Sequence, residues 1–245
     1  MREELFSVAE SYATTGNSVA PEMRGGETQS RSAQDMGEID FVSRPDVVPC
    51  FTPGAEIATI WGGVLVEDLR KGDMVITRDN GIRPIGWIGT KRLSAADLER
   101  TPALHPVRIR AGALGRGLPL QDLVVSPNHR VLVHAPLLSA VSAENELLAR
   151  AGQLVGLPGI EIAAAQEAIY IHFMFEQHEI VLSNGAWSES FQPAVDTIGC
   201  LDEAQREELL SLFPDLRKWS GLERYGAARP GLTDAQSAQL LAQTA

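Results

Sequence analysis

Cysteine is scarce in this chain: Cys50 and Cys200 are the only two in 245 residues. Two thiols cannot build a disulfide scaffold, and a four-thiolate metal site is excluded. Long apolar runs are missing too. None approaches the roughly 20 residues that cross a bilayer, so no membrane span is expected. The opening Met-Arg-Glu-Glu-Leu-Phe-Ser-Val-Ala-Glu lacks the apolar h-region of a signal peptide. The default compartment is then the cytoplasm, with export by a route that reads the chain elsewhere left open. Positive charge is in deficit, 21 Lys and Arg against 32 Asp and Glu, for a net charge of -11. A phosphate backbone needs Lys and Arg to replace its counterions, so nucleic acid is not an expected partner. Of the five histidines, His129, His172 and His178 are the ones a hydrolytic zinc site could use. They form no His-x-His or His-x-x-x-His pair beside an acid. No metal and no cofactor are expected. No repeat of 20–50 residues is found.

What remains is ordinary globular material, 44% hydrophobic and 22% charged. A chain of this length fits one domain with appendages, or two small ones. Residues 1–44 are polar and follow neither a period of 2 nor one of 3.6. Such a stretch buries too little apolar area to offset its ordering entropy, and it reads as a disordered leader. Within it Ile39-Asp-Phe-Val reads as a short strand that docks.

At Cys50 the texture changes. Glu56–Trp61 reads as a strand, Gly62-Gly63 as a hairpin turn and Val64-Leu-Val as the return. Val66-Glu-Asp-Leu reads as a helical turn, Met74–Thr77 as a strand, Asp79-Asn-Gly81 as a second hairpin and Pro84–Ile88 as the strand after it. Val107–Arg110, Asp122–Ser126 and Arg130–His134 continue the series, Ser142–Arg150 reads as helical, and Ala168–Phe175 is a long apolar run. Ser183-Asn-Gly185 turns the chain into Ala186-Trp-Ser. Many short strands between Gly, Asn and Asp turns predict an all-β domain over residues 45–193. Residues 194–245 switch to helical periodicity. Asp202 caps one helix that stops at Pro214, and Thr233-Asp-Ala-Gln236 is a capping box for the last. These helices are expected as a surface pair on the β-domain, with Cys200 a partly buried thiol at a helix start.

Chemistry concentrates at the composition boundary. Cys50 is intrinsically nucleophilic, and the nearest acyl carbon is the carbonyl of Pro49. Attack there replaces the Pro49–Cys50 amide by a thioester and frees the Cys50 amine. The shift is uphill for an ordinary amide, so the fold must stabilise the oxyanion and protonate the departing nitrogen. His129 is a suitable proton donor, since histidine titrates near working pH. Ser126, three residues earlier, can bond the same peptide, with Pro127 stiffening the loop between them.

Four stretches, in order, resemble the motifs of the Hint domain, the fold shared by inteins and the hedgehog autoprocessing domain. They are Cys50-Phe-Thr-Pro-Gly, Val66-Glu-Asp-Leu-Arg-Lys-Gly-Asp-Met-Val, Ser126-Pro-Asn-His-Arg-Val and His178-Glu-Ile-Val-Leu-Ser-Asn-Gly-Ala-Trp-Ser-Glu-Ser-Phe. The nearest look is to the bacterial Hint-like branch outside true inteins. The resemblance spans Cys50 to Pro193. It implies a horseshoe-shaped all-β fold with a short helical C-terminal tail, and Cys50 as first residue and nucleophile. It implies Ser126 in the place of the family's Thr or Ser, and His129 activating the scissile amide. It also implies His178 assisting the second step. Ser190 stands where the hedgehog pattern has a cysteine, and His172 where inteins often carry an acid. Both are second-step candidates. Two departures bear on the outcome. No terminal His-Asn followed by Cys, Ser or Thr occurs near Pro193, so cleavage or acyl transfer is expected rather than splicing. Gly89-Thr90 follow Ile88 where the hedgehog branch has an acid, which leaves the base for the thiol unidentified. The implied partners are the chain's own N-terminal segment as substrate and water, a thiol or an amine as acceptor, in a single-turnover cis reaction. The alternative is a catalytically dormant Hint-fold binding or export module.

Overall fold

A computed structural model describes residues 38–42, 49–134, 138, 142 and 144–243. The expected leader, apart from residues 38–42, lies outside the described residues. The strands are β1 Glu56–Thr59, β2 Gly62–Leu65, β3 Met74–Thr77, β4 Gly81–Pro84, β5 Trp87–Leu93, β6 Val107–Ile109, β7 Leu123–Val125, β8 Arg130–His134, β9 Glu146–Arg150, β10 Ile160–Ile162, β11 Ala168–Met174, β12 Ile180–Ser183 and β13 Ala186–Glu189. The α-helices are α1 Ala95–Arg100, α2 Val195–Gly199, α3 Glu203–Leu212, α4 Trp219–Arg224 and α5 Asp234–Ala242. Helices thus gather at the C-terminal end, as their periodicity and caps predict. Asp202 and Thr233 accept the N3 backbone N–H groups of α3 and α5.

Every named strand pairing is antiparallel. One sheet runs β2-β1-β3-β12-β13-β8-β9, with β4 beside β3. The second is assembled from β10-β6-β7 and β11-β5. What joins its two pieces is Phe51, which bridges Val125 on one side and Ile171 on the other. Phe51 exchanges both backbone hydrogen bonds with Ile171, at 2.8 and 2.9 Å. Its ring stacks on Phe173 at 5.4 Å and both are buried in the main core. The residue after the nucleophile candidate is therefore the keystone of a sheet.

Three local readings change. The first hairpin turns at Ile60-Trp61 rather than Gly62-Gly63. Gly62 pairs with Thr59, and its φ of 102° is the positive angle that the turn's exit requires. The strand expected at Pro84–Ile88 divides: β4 ends at Pro84 and β5 begins at Trp87, and the intervening Gly86 N–H donates to Met174 O at 2.8 Å. Within the stretch expected as helical, Ser142–Arg150, the described residues 144–150 are not helical. Glu146–Arg150 is β9, paired along its whole length with β8, and Leu147, Leu148 and Ala149 are all buried. Burial on both faces outweighs a helix propensity that differs from its rivals by only tenths of a kcal/mol per residue. The Asn184-Gly185 hairpin is as expected, with φ of 46° and 80°.

The C-terminal segment is fastened to the sheets. Gly231 bridges Leu148 in parallel, with Leu148 N–H donating to Pro230 O and Leu232 N–H to Leu148 O, each at 2.9 Å. Arg229 pairs with Asp79 and Glu146. Tyr225 donates its hydroxyl to Phe175 O at 2.8 Å. Among the described residues no helix is long and apolar enough to cross a membrane.

Candidate active site

The register around Phe51 builds the site. In an antiparallel ladder, stepping back one residue on one strand steps forward one on its neighbour. Phe51 opposite Val125 therefore sets Cys50 opposite Ser126. Phe51 opposite Ile171 likewise sets Cys50 opposite His172. Residues directly opposite share a face, so three side chains distant in sequence converge. Cys50 N–H donates to Ser126 Oγ at 2.8 Å, and Ser126 N–H donates to Cys50 O at 2.9 Å. Cys50 Sγ lies 3.1 Å from His172 Nδ1.

All three residues are buried, Cys50 completely. Burial pushes the thiol well above its ordinary pKa, with the positive charge of Lys91 working in the opposite direction. Burial, with help from Lys91, brings His172 down to about 3. At neutral pH the pair is thus a neutral thiol beside a neutral imidazole. If Nδ1 accepts the thiol proton, Nε2 carries the ring hydrogen, and that atom has no hydrogen-bond partner among the described residues. Aromatic rings hold the imidazole instead: Trp87 at 5.1 Å and Phe191 at 5.3 Å between centroids. Gly89, paired with His172 across β5 and β11, leaves the space. A Cβ there would sit 2.3 Å from His172 Nε2.

His129 comes close to this group through Phe51, its ring 4.3 Å from the Phe51 ring. It is buried, its pKa drawn down to about 4 mainly by burial, and neither ring nitrogen has a hydrogen-bond partner among the described residues. Leaving such atoms unpaired costs about 1–3 kcal/mol each, so an orphaned imidazole packed on the residue that follows Cys50 calls for an explanation.

His178 belongs to a different network. Its Nδ1 accepts the Ala228 N–H at 3.0 Å, and its Nε2 lies 3.3 Å from Glu189 Oε2. Glu189 is fully buried and also receives the Arg130 N–H at 2.8 Å and Arg130 Nε at 2.7 Å. Burial alone would raise its pKa; Arg130 and His178 outweigh it and hold the carboxyl at about 2. Ser190 is buried with its hydroxyl accepting the Glu179 N–H at 3.0 Å, a structural bond. Cys200 is buried at the end of α2 in the same apolar cluster as Cys50, and its carbonyl accepts from Lys91 Nζ at 3.1 Å. Among the described residues no group of His, Cys, Asp and Glu is arranged to hold a metal ion.

The structure thus brings together Cys50, Ser126 and His172, sets His129 next to them, and keeps His178 and Ser190 in other contacts. Sequence reasoning did not reach three features around the thiol: His172 in contact with it, Lys91 as the neighbouring charge, and Gly89 as the gap that admits the imidazole. The usable signal was the pairing of Trp87–Leu93 with Ala168–Met174, which sets Gly89 opposite His172.

A model of the Hint domain family matches residues 49–195. No curated protein matches the chain. Among solved structures, the bacterial intein-like domain from Clostridium thermocellum is 15% identical, with 59% of this chain and 99% of that one covered at a TM-score of 0.37. The MchDnaB-1 intein (N145AA) is 10% identical, covering 58% and 99%, with a TM-score of 0.37. The gp41-1 intein is 11% identical, covering 57% and 96%, with a TM-score of 0.34.

Proposed function

The chain belongs to the Hint domain family, and from that premise we propose that it processes itself at the Pro49–Cys50 bond by an N–S acyl shift. The observation that carries the proposal is the position of Cys50, with its thiol on His172 and its amide N–H on Ser126. The two groups that must change protonation in the reaction each have a partner in place.

The thiol proton passes to His172 Nδ1 as sulfur attacks the Pro49 carbonyl carbon. General-base assistance at the moment of attack suits this site, because burial keeps the resting thiol protonated. Collapse of the tetrahedral intermediate breaks the C–N bond, and the Cys50 nitrogen takes up a proton to leave as an amine. Ser126 Oγ already lies 2.8 Å from that nitrogen and can reverse from acceptor to donor as the nitrogen becomes tetrahedral. His129, packed on the ring of Phe51, has both ring nitrogens free of hydrogen bonds among the described residues. Its role in this reading is to steady the reacting peptide. The balance is amide plus thiol to thioester plus amine, with the proton of the thiol ending on the amine. Water, a thiol or an amine then takes the acyl group, Cys50 regains its proton, and residues 1–49 are released or transferred.

The test is intact mass of the full chain with and without dithiothreitol or hydroxylamine, beside Cys50→Ala and His172→Ala. A break between Pro49 and Cys50 that thiol accelerates is expected, absent in Cys50→Ala and slowed about 10²–10⁴-fold in His172→Ala. Cleavage at full rate in Cys50→Ala would falsify the mechanism. A chain that stays intact under every condition would mean a dormant Hint fold.

A further inference from the structure

The segment expected as a short strand, Ile39–Val42, is not a regular strand but is docked beside a single β-bridge at Glu38, and what it docks on is the helical tail. Ile39 and Phe41 are half-buried while Glu38, Asp40 and Val42 are exposed, the alternation of a strand with one covered face. Ile39 N–H donates to Arg217 O at 2.9 Å, and Glu38 bridges Lys218. Phe41 packs against a cluster that contains Ile198, Leu210 and Leu216 of the tail together with Trp87 and Phe191. At the segment's end the chain passes directly over Gly199. A Cβ on that glycine would meet the Val42 carbonyl oxygen at 2.4 Å and, among the described residues outside its own helix and its chain neighbours, no other residue within 4 Å.

This placement links the flank to the chemistry twice. Residues 43–49 join Val42 to Cys50, eight steps along the chain, and at roughly 3.3–3.6 Å per residue they hold the docked segment within about 29 Å of the Cys50 backbone. Trp87 and Phe191, which share the cluster with Phe41, are also the rings flanking His172. The same apolar cluster therefore takes hold of the flank at one end and fixes the imidazole at the other.

We propose that the tail is a recognition site for the N-terminal flank, reading residues 38–42 as an added strand with Ile39 and Phe41 as its anchors, and thereby setting the rate of processing at Pro49–Cys50. The substrate class is a short extended peptide with apolar residues at alternate positions. Backbone pairing supplies register, and the cluster supplies selection for an aromatic. Docking confines the scissile peptide near the site and replaces a search through chain conformations with a local one. The inference rests on the acyl-shift reading.

Gly199→Ala is the cleanest perturbation. It lies in a helix, where alanine is favoured over glycine, and outside that helix the added methyl meets only the flank backbone among the described residues. Phe41→Ala removes the anchor from the other side. Two measurements are made on the full chain. Amide exchange of Ile39 is read by NMR in the Cys50→Ala background, where nothing is cut. Thiol-induced cleavage is read in the otherwise unaltered chain. The Ile39 amide is expected to exchange at least about tenfold more slowly than in an unstructured peptide. Gly199→Ala should abolish that protection while amides of β5 and β11 keep theirs. Each variant should slow cleavage about tenfold, and the double variant no more than the stronger single one, because both break one contact. An unprotected Ile39 amide in the parent overturns the inference. So does a Gly199→Ala chain that cleaves at the parent rate. A parent that never cleaves overturns the acyl-shift reading and this inference with it. A parent that cleaves while Gly199→Ala matches it overturns this inference alone.

Discussion

Gly89→Ala tests the base assignment without touching a reacting group. The added Cβ would sit 2.3 Å from His172 Nε2 and 2.6 and 2.8 Å from the Trp87 ring. Ordinary van der Waals contact begins more than an ångström further out, so the imidazole must move by about that much. The Sγ–Nδ1 separation, now 3.1 Å, then passes beyond hydrogen-bond reach. Misplacement of a catalytic group by about 1 Å costs on the order of 10²-fold in rate. Overpacking of this kind also destabilises by about 1–3 kcal/mol, so the rate must be read on folded protein. The assay is the first-order rate of thiol-induced cleavage by intact mass, with urea unfolding of each variant alongside. The decisive comparison is Gly89→Ala in the His172→Ala background. With the imidazole gone, the extra methyl should cost little further rate. A Gly89→Ala chain that is folded and cleaves as fast as the parent would refute the reasoning, since no base could then be standing where the methyl goes.

Ser126→Ala leaves the buried Cys50 N–H without its acceptor; a loss of about 1–3 kcal/mol in urea unfolding and slower thioester formation are expected, and Ser126→Thr should restore both. Stability should fall with acid. The unfolded chain protonates His129 and His172 near 6.5 while the folded chain holds them at about 4 and 3, so the contribution is complete above about pH 6.5 and drains as pH falls through 4 toward 3, on the order of several kcal/mol by urea unfolding at stepped pH. Glu189, held at about 2, adds to the loss below about pH 4.5; a flat profile from pH 7 to 4 would contradict the histidine contribution. Glu189→Gln strips Arg130 and His178 of their shared carboxylate, and unfolding should cost about 3 kcal/mol less than in the parent, with an unchanged denaturation midpoint as the refuting result.

How much of this was legible in the residues depended on the distance over which each feature is determined. The Asn184-Gly185 hairpin and the caps Asp202 and Thr233 are set within four residues, and the chain states them openly. The all-β character follows from strand composition, and Cys50, Ser126 and His129 stand out by motif. Glu146–Arg150 read as helix because Glu, Leu, Ala and Arg are good helix formers; only the neighbouring β8 makes it a strand. The contact between His172 and the Cys50 thiol was hidden for a related reason. The histidine's place opposite Cys50 depends on Phe51 bridging β7 and β11, a pairing across 120 residues that no local pattern encodes. Gly89 looked like a missing acid when read alone; it is the opening through which the imidazole fits.

The burial of the nucleophile, which would hinder an enzyme with a diffusing substrate, suits the proposed reaction. The scissile bond is covalently attached to Cys50, so the first step needs no access from solvent. A dry site keeps the imidazole unprotonated and the thiol in contact with it, and a buried thioester is shielded from water once formed. The second step has the opposite requirement, because water, a thiol or an amine must reach the Pro49 carbonyl, next to a thiol that is completely buried. His178 offers that step no direct help from its observed place. Its Nδ1 is occupied by the Ala228 N–H, and its Nε2 faces Glu189. In the proposed scheme the first step is therefore governed by register and packing around Cys50. The second is governed by how readily the sheet loosens there once the upstream segment is held to Cys50 through its side-chain sulfur instead of its backbone nitrogen.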